Sequence, residues 1–175
     1  PSILEAPGSK DVAVEFHTLS KSYCLPGLRF GFAVGNAEVL GSLAKTKSYI
    51  DFGIFRAVQW AAIKALSGPQ DCVQKVVDTY HERRDVFVPG LQRIGWDIPL
   101  PKATFYVWAK IPLKFSALTS LEFATLLVQE AGVVVAPGSG FGEYGEGFVR
   151  FALVEPKPRL REAVKRIERV LRMED

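Results

Sequence analysis

Thr18-Leu19-Ser20-Lys21-Ser22-Tyr23-Cys24-Leu25-Pro26-Gly27-Leu28-Arg29-Phe30-Gly31 is the stretch on which the reading of this chain turns. The apolar run Val12-Ala13-Val14-Glu15-Phe16 leads into it and breaks at hydroxyl residues, the pattern of a buried strand that ends in a functional loop. Lys21 stands at the break. Beyond the Pro26-Gly27 turn, Arg29 opens a second apolar run, Phe30 to Val34, which Gly35-Asn36 closes. Two cations thereby fall at the ends of two neighbouring strands. An amine on a rigid strand end, beside hydroxyls and a guanidinium, suits attack on a carbonyl that lies next to a phosphate.

Composition narrows the classes around that stretch. With 175 residues and 48% hydrophobic content, the chain can bury a sizeable core as one domain or two small ones. A net charge of +3, with no long block of like charge, argues against a nucleic-acid partner. Cys24 and Cys72 offer neither a disulfide framework nor a metal-ligand spacing, which implies no metal site, reduced thiols and a cytoplasmic location. No apolar run approaches the ~20 residues of a membrane helix, no signal peptide is present, and no repeat is visible.

Taken in order, the chain predicts a strand over Val12 to Phe16 closed by His17, which is read as a hydrogen-bonded strand-end residue. Helical spacing follows over Ala37 to Ser48, and Ile54 to Leu66 is apolar enough to be a helix buried against a sheet. A long amphipathic helix starts after Pro69 and carries Val73, Val76, Val77, Tyr80, Phe87 and Leu91 on one stripe; Pro89 predicts a kink or break near Val86. The charged cluster from His81 to Asp85 is read as a solvated face. Thr104 to Ala109 reads as a strand. Thr119 and Glu122 form a capping box, Leu118 and Phe123 a hydrophobic staple, and Gly132 a C-terminal stop. Val133 to Ala136 and Phe148 to Leu153 are expected as short strands flanking a glycine-rich loop, and Leu160 to Leu171 as an amphipathic helix with a solvated basic face.

The Thr/Ser-x-Ser-Lys pattern, then an aromatic (Tyr23), then Gly27-x-Arg29-x-Gly31 resembles the lysine segment of class I/II aminotransferases, which have the type I pyridoxal-phosphate fold. The resemblance continues through Phe105-Tyr106-Val107-Trp108, Val135-Ala136-Pro137-Gly138-Ser139-Gly140-Phe141-Gly142 and Gly147-Phe148-Val149-Arg150-Phe151-Ala152-Leu153. The wording Val14 to Lys21 looks closest to the bacterial branch of diaminopimelate, alanine and glutamate aminotransferases.

That resemblance implies an α/β fold: the C-terminal half of a type I transferase, with residues 1–88 ending the large cofactor-binding domain and 89–175 forming a small α+β domain. It implies pyridoxal 5'-phosphate as cofactor and an amino group moved between an α-amino acid and a 2-oxo acid. Lys21 matches the lysine that forms a Schiff base with the cofactor and moves the substrate proton. Thr18, Ser20 and Arg29 match phosphate-binding positions, and Arg150 matches the arginine that holds the substrate carboxylate. Serine is usual in the family where Thr18 stands, and asparagine is more frequent in this branch where Cys24 stands. Phe141 is expected as the apolar contact of a mobile loop near the substrate. The chain opens in mid-loop without an initiator methionine, so it is expected to be the C-terminal portion of a longer, homodimeric parent. The family's cofactor-stacking aromatic and pyridine-nitrogen aspartate have no counterparts in its motifs, and apolar segments such as Ile54 to Leu66 would then lack cover. Other readings are a non-catalytic ligand-binding or interaction module, and the aminotransferase-like domain of a transcription regulator, for which the chain carries no basic DNA-binding segment.

Overall fold

In the computed structural model, which describes residues 2–173, Val14–Thr18 (β1) and Gly31–Gly35 (β2) form an antiparallel hairpin, with Phe16 opposite Ala33 and Thr18 opposite Gly31. Both strands lie within about two residues of their expected bounds. Burial departs from expectation, because Val12 and Phe16 are exposed and no residue of the two strands is fully buried. Asn36 joins the hairpin to Ala37–Ile50 (α1): its side-chain oxygen accepts from the Val39 N–H at 2.8 Å and its amide donates to the Asp11 carbonyl at 2.7 Å. This satisfies an N–H that the first turn leaves without a helical acceptor.

Arg56–Ser67 (α2) occupies the apolar Ile54 to Leu66 stretch, yet among its described residues only Ala62 is buried, and Trp60, Ile63 and Leu66 are exposed. The expected burial against the sheet does not occur among the described residues. The bare apolar face that a lack of cover would leave is present.

Asp71–Arg93 (α3) runs through Pro89 without the expected break. Proline in a helix interior costs ~3 kcal/mol, and here the turn that bears it is packed on both sides: Phe87, Val88, Gly90 and Leu91 are all buried. Burial of large apolar side chains at ~1.5–3 kcal/mol each outweighs the lost hydrogen bond. The chain divides into two compact units, one up to Val77 and one from Asp78.

The second unit holds a three-stranded antiparallel sheet in the order Tyr106–Lys110 (β3), Phe148–Ala152 (β5), Ala136–Pro137 (β4). β4 is shorter than the expected Val133 to Ala136 strand. The alternate residues Val107, Ala109, Val149 and Phe151 turn inward and are buried. Against them pack Ser120–Leu126 (α4) and Lys157–Leu171 (α5), whose Leu160, Ile167 and Val170 are buried. Trp96 sits in this core, edge-on to Phe123 at 5.6 Å and Phe151 at 5.5 Å, with its indole N–H donating to the Lys110 carbonyl at 2.8 Å.

The expected capping box is complete: Thr119 Oγ1 accepts from the Glu122 N–H and the Glu122 carboxylate accepts from the Thr119 N–H at 2.8 Å. That second bond holds the Glu122 carboxyl below its ordinary pKa. α4 passes into a wider turn over Leu127–Ala131 and stops at Gly132, whose φ of 60° is left-handed, as the sequence predicts.

Candidate active site

The first candidate group lies on the hairpin of the first unit. Thr18 ends β1, and its hydroxyl donates to the Phe30 carbonyl at 3.0 Å across the hairpin. Thr18 Oγ1 and Ser20 Oγ are 2.9 Å apart, and the Ser20 N–H donates to Thr18 Oγ1 at 3.2 Å. Lys21 follows at once on an exposed turn that the Cys24 N–H closes onto the Lys21 carbonyl at 3.1 Å. Leu19, between the two hydroxyl residues, is 1% exposed and anchors the turn from beneath.

Backbone strain marks this turn. Cys24 has φ 52° and Arg29 φ 49°, both left-handed, a conformation costing roughly 1–2 kcal/mol for a residue with a Cβ. Arg29 caps the short turn Pro26–Leu28, its guanidinium donating to the Pro26 carbonyl at 3.0 Å. Asparagine populates the left-handed region several-fold more readily than most residues, so it would suit the backbone at the position of Cys24.

Thr18, Ser20, Lys21 and Arg29 thus share one end of one hairpin. Two hydroxyls and a guanidinium can bind a phosphate, and an exposed primary amine can attack an aldehyde, so the donor set fits a phosphorylated aldehyde cofactor. His17, on the same strand, donates from Nε2 to Glu15 Oε2 at 3.1 Å and stacks on Phe32 at 5.1 Å. Its reading as a hydrogen-bonded strand-end residue holds. Beside this end lies an open cavity of about 590 Å³ lined by Thr18, Ser22, Tyr23, Phe32 and Gln70, in which the Tyr23 hydroxyl donates to Gln70 Oε1 at 2.6 Å. Tyr23 is the aromatic of the lysine-segment pattern; sequence reasoning missed Gln70, because a lone glutamine carries no pattern.

Arg150 belongs to the second unit. It lies on β5 opposite Trp108 of β3, on the sheet face turned away from the core. Its guanidinium carbon is 4.1 Å from the Tyr106 ring centroid and 4.3 Å from that of Phe141, so the planar group is held between two aromatic faces. Trp108 extends the aromatic wall, 5.6 Å from Phe141 and from Phe148. Arg150 Nε is buried without a hydrogen-bond partner among the described residues. A guanidinium in this setting has the chemistry to pair with an anion that offers two oxygens. Phe141, expected near the substrate, lies directly on Arg150.

The sequence profile of class I and II aminotransferases matches residues 4–167. The chain belongs to the class I and II aminotransferase family. It is 53% identical to glutamate-pyruvate aminotransferase AlaC of Escherichia coli K12, over 98% of this chain and 42% of that protein. To LL-diaminopimelate aminotransferase of Moorella thermoacetica it is 49% identical, over 98% of this chain and 43% of the relative. A solved structure titled probable N-succinyldiaminopimelate aminotransferase, from Thermus thermophilus, superposes with a TM-score of 0.87 at 42% identity, covering 97% of this chain and 45% of that one. The chain therefore spans about two fifths of the length of these aminotransferase relatives, and the fold read from its sequence, the C-terminal half of a type I transferase, is borne out over this segment. Among the described residues no helix is long and apolar enough to cross a membrane, and both cysteines are unbridged and exposed.

Proposed function

We propose that the full-length parent of this chain is a cytoplasmic, homodimeric, pyridoxal-phosphate-dependent aminotransferase that moves an amino group between an α-amino acid and a 2-oxo acid. Residues 1–88 would close its large cofactor-binding domain and 89–175 would form its small domain. The observation that carries this reading is the family match over residues 4–167, which contains the Lys21 turn and the Arg150 strand in one alignment. Relatives named for glutamate-pyruvate and diaminopimelate aminotransfer point to small and carboxylate-bearing amino acids as the donors to try.

In this reading Thr18, Ser20 and Arg29 hold the cofactor phosphate. When bound, the cofactor supplies an electron sink that makes the substrate Cα–H acidic. Lys21 Nζ would hold the cofactor through its aldehyde and, when free as an amine, would take the proton from the substrate Cα. Arg150 receives the α-carboxylate through paired N–H donors, with Tyr106 and Phe141 fixing the guanidinium plane so that little freedom is lost on binding. Tyr49, Ile50, Phe52, Phe55 and Trp60 form an exposed apolar stretch in the first unit, which supports association in the parent. By itself the 175-residue chain is proposed to be catalytically incompetent.

The test is transamination by the purified parent from L-glutamate to pyruvate, in wild-type and Arg150→Lys forms. Wild-type turnover is expected. Lysine keeps the charge but not the paired geometry or the stacking, so the variant should lose ~1.5–3 kcal/mol of donor binding and keep its cofactor absorbance. No wild-type turnover would contradict the proposal, and an Arg150→Lys variant with unchanged KM would remove Arg150 from it.

A further inference from the structure

The loop between β4 and β5 carries Phe141, and both of its ends are fastened to one residue outside it. The loop folds as two short turns, Gly138–Phe141 and Glu143–Gly145. Their starts and ends cross so closely that a Cβ on Gly138 would lie 1.9 Å from the Gly145 carbonyl oxygen, which only glycine permits. At the C-terminal end, the Glu146 carboxylate accepts from the Ser120 N–H at 2.6 Å, the Ser120 hydroxyl at 2.9 Å and the Gly147 N–H at 3.0 Å. At the N-terminal end, the Ser139 N–H donates to Ser120 Oγ at 3.2 Å, and the two hydroxyl oxygens are 3.0 Å apart. Ser120 is fully buried.

A carboxylate that takes three donors from two segments is a strong fastening, because each bond to an ionised acceptor exceeds a neutral one. Donation by the Ser120 and Gly147 N–H groups holds the Glu146 carboxyl below its ordinary pKa, so the acceptor form persists at neutral pH. Between the fastened ends, Phe141 is half-exposed and contacts Arg150 and Trp108.

We infer that Glu146, through Ser120, is a positioning residue for the carboxylate subsite: it holds the loop so that Phe141 closes one face of the Arg150 guanidinium. This rests on the proposed role of Arg150. Glu146 does not touch substrate; it acts through Phe141. Glutamine at this position removes the negative charge that strengthens the bonds from the Ser120 and Gly147 N–H groups and from the Ser120 hydroxyl, which loosens the clasp without removing bulk.

The test uses the full-length parent with Glu146→Gln, Phe141→Ala and the double variant. L-alanine serves as donor, and propionate, which is L-alanine without its amine, as a competitive inhibitor that reads the carboxylate subsite alone. Glu146→Gln should raise the KM for L-alanine and the Ki for propionate together, each about tenfold or ~1.4 kcal/mol, with kcat and cofactor absorbance near wild type. In the Phe141→Ala background the same substitution should add little, because its intermediary is gone. An unchanged Ki, or a full additional loss without Phe141, overturns the inference while leaving the aminotransferase reading intact. A wild-type parent with no turnover overturns both. Should Glu146→Gln not fold, Ser139→Ala reads the other end of the clasp: a raised propionate Ki at unchanged kcat supports the inference, and a wild-type Ki overturns it.

Discussion

From Phe87 onward the chain buries Trp96, Phe123, Leu127, Phe151 and Ile167 in a continuous core, whereas among the described residues of the first unit only Leu19 and Ala62 are buried apolar side chains. The two halves do not differ in apolar residues available: Trp60, Ile63, Phe52 and Phe55 are as suited to a core as anything in the second unit, yet they are exposed. The difference lies in layers. The second unit has a sheet with helices packed against its inner face, the arrangement that lets a small domain close its own core. A hairpin and two helices that bury so little supply too few layers to do so. The first unit leaves its apolar side chains bare, and it carries the proposed cofactor-binding turn. The second is self-sufficient, and carries a guanidinium fixed between rings.

The sharpest way to break this comparison is to truncate one large side chain on each side. Phe123→Ala should cost ~3–5 kcal/mol in the unfolding of the second unit, since Phe123 is fully buried against Trp96 and Phe115. Trp60→Ala, at a residue 69% exposed, should cost no more than ~0.5 kcal/mol in the 175-residue chain. In the full-length parent, covering of that face would make the same Trp60→Ala change cost several-fold more. Denaturant titrations of chain and parent give the numbers. An equal cost for the two substitutions in the short chain would erase the contrast between the units.

A smaller effect belongs to the strained turn. Cys24→Asn keeps the left-handed backbone and admits a residue that tolerates it, so hydrogen exchange of the amides around Lys21 should slow by an amount equivalent to at most ~1 kcal/mol. Faster exchange would mean that the Cys24 side chain, not the backbone, sets the stability of the turn.

Much of this was legible in the sequence because local rules decide it. The Thr119/Glu122 cap, the Gly132 stop and the strands around Val107 and Val149 follow from side-chain chemistry and period alone, and the structure has them. Pro89 does not break the helix, because packing of Phe87, Val88 and Leu91 overrode a local penalty that the sequence states clearly. Burial of Val12 to Phe16 and of α2 misled for the opposite reason: apolar sequence shows what can be covered, not what covers it. Within the candidate site, Lys21, Arg29 and Arg150 stand in motifs and were readable. The Glu146–Ser120–Ser139 clasp was not, because it joins residues 19 to 26 positions apart through hydrogen bonds that leave no periodic trace.

Borohydride reduction of the full-length parent in the presence of pyridoxal 5'-phosphate, followed by peptide mapping, tests the central claim directly. The account predicts a single pyridoxyl group, on Lys21, in the peptide that also contains Thr18 and Ser20. A pyridoxyl group on a different lysine, or none on the protein, would contradict it.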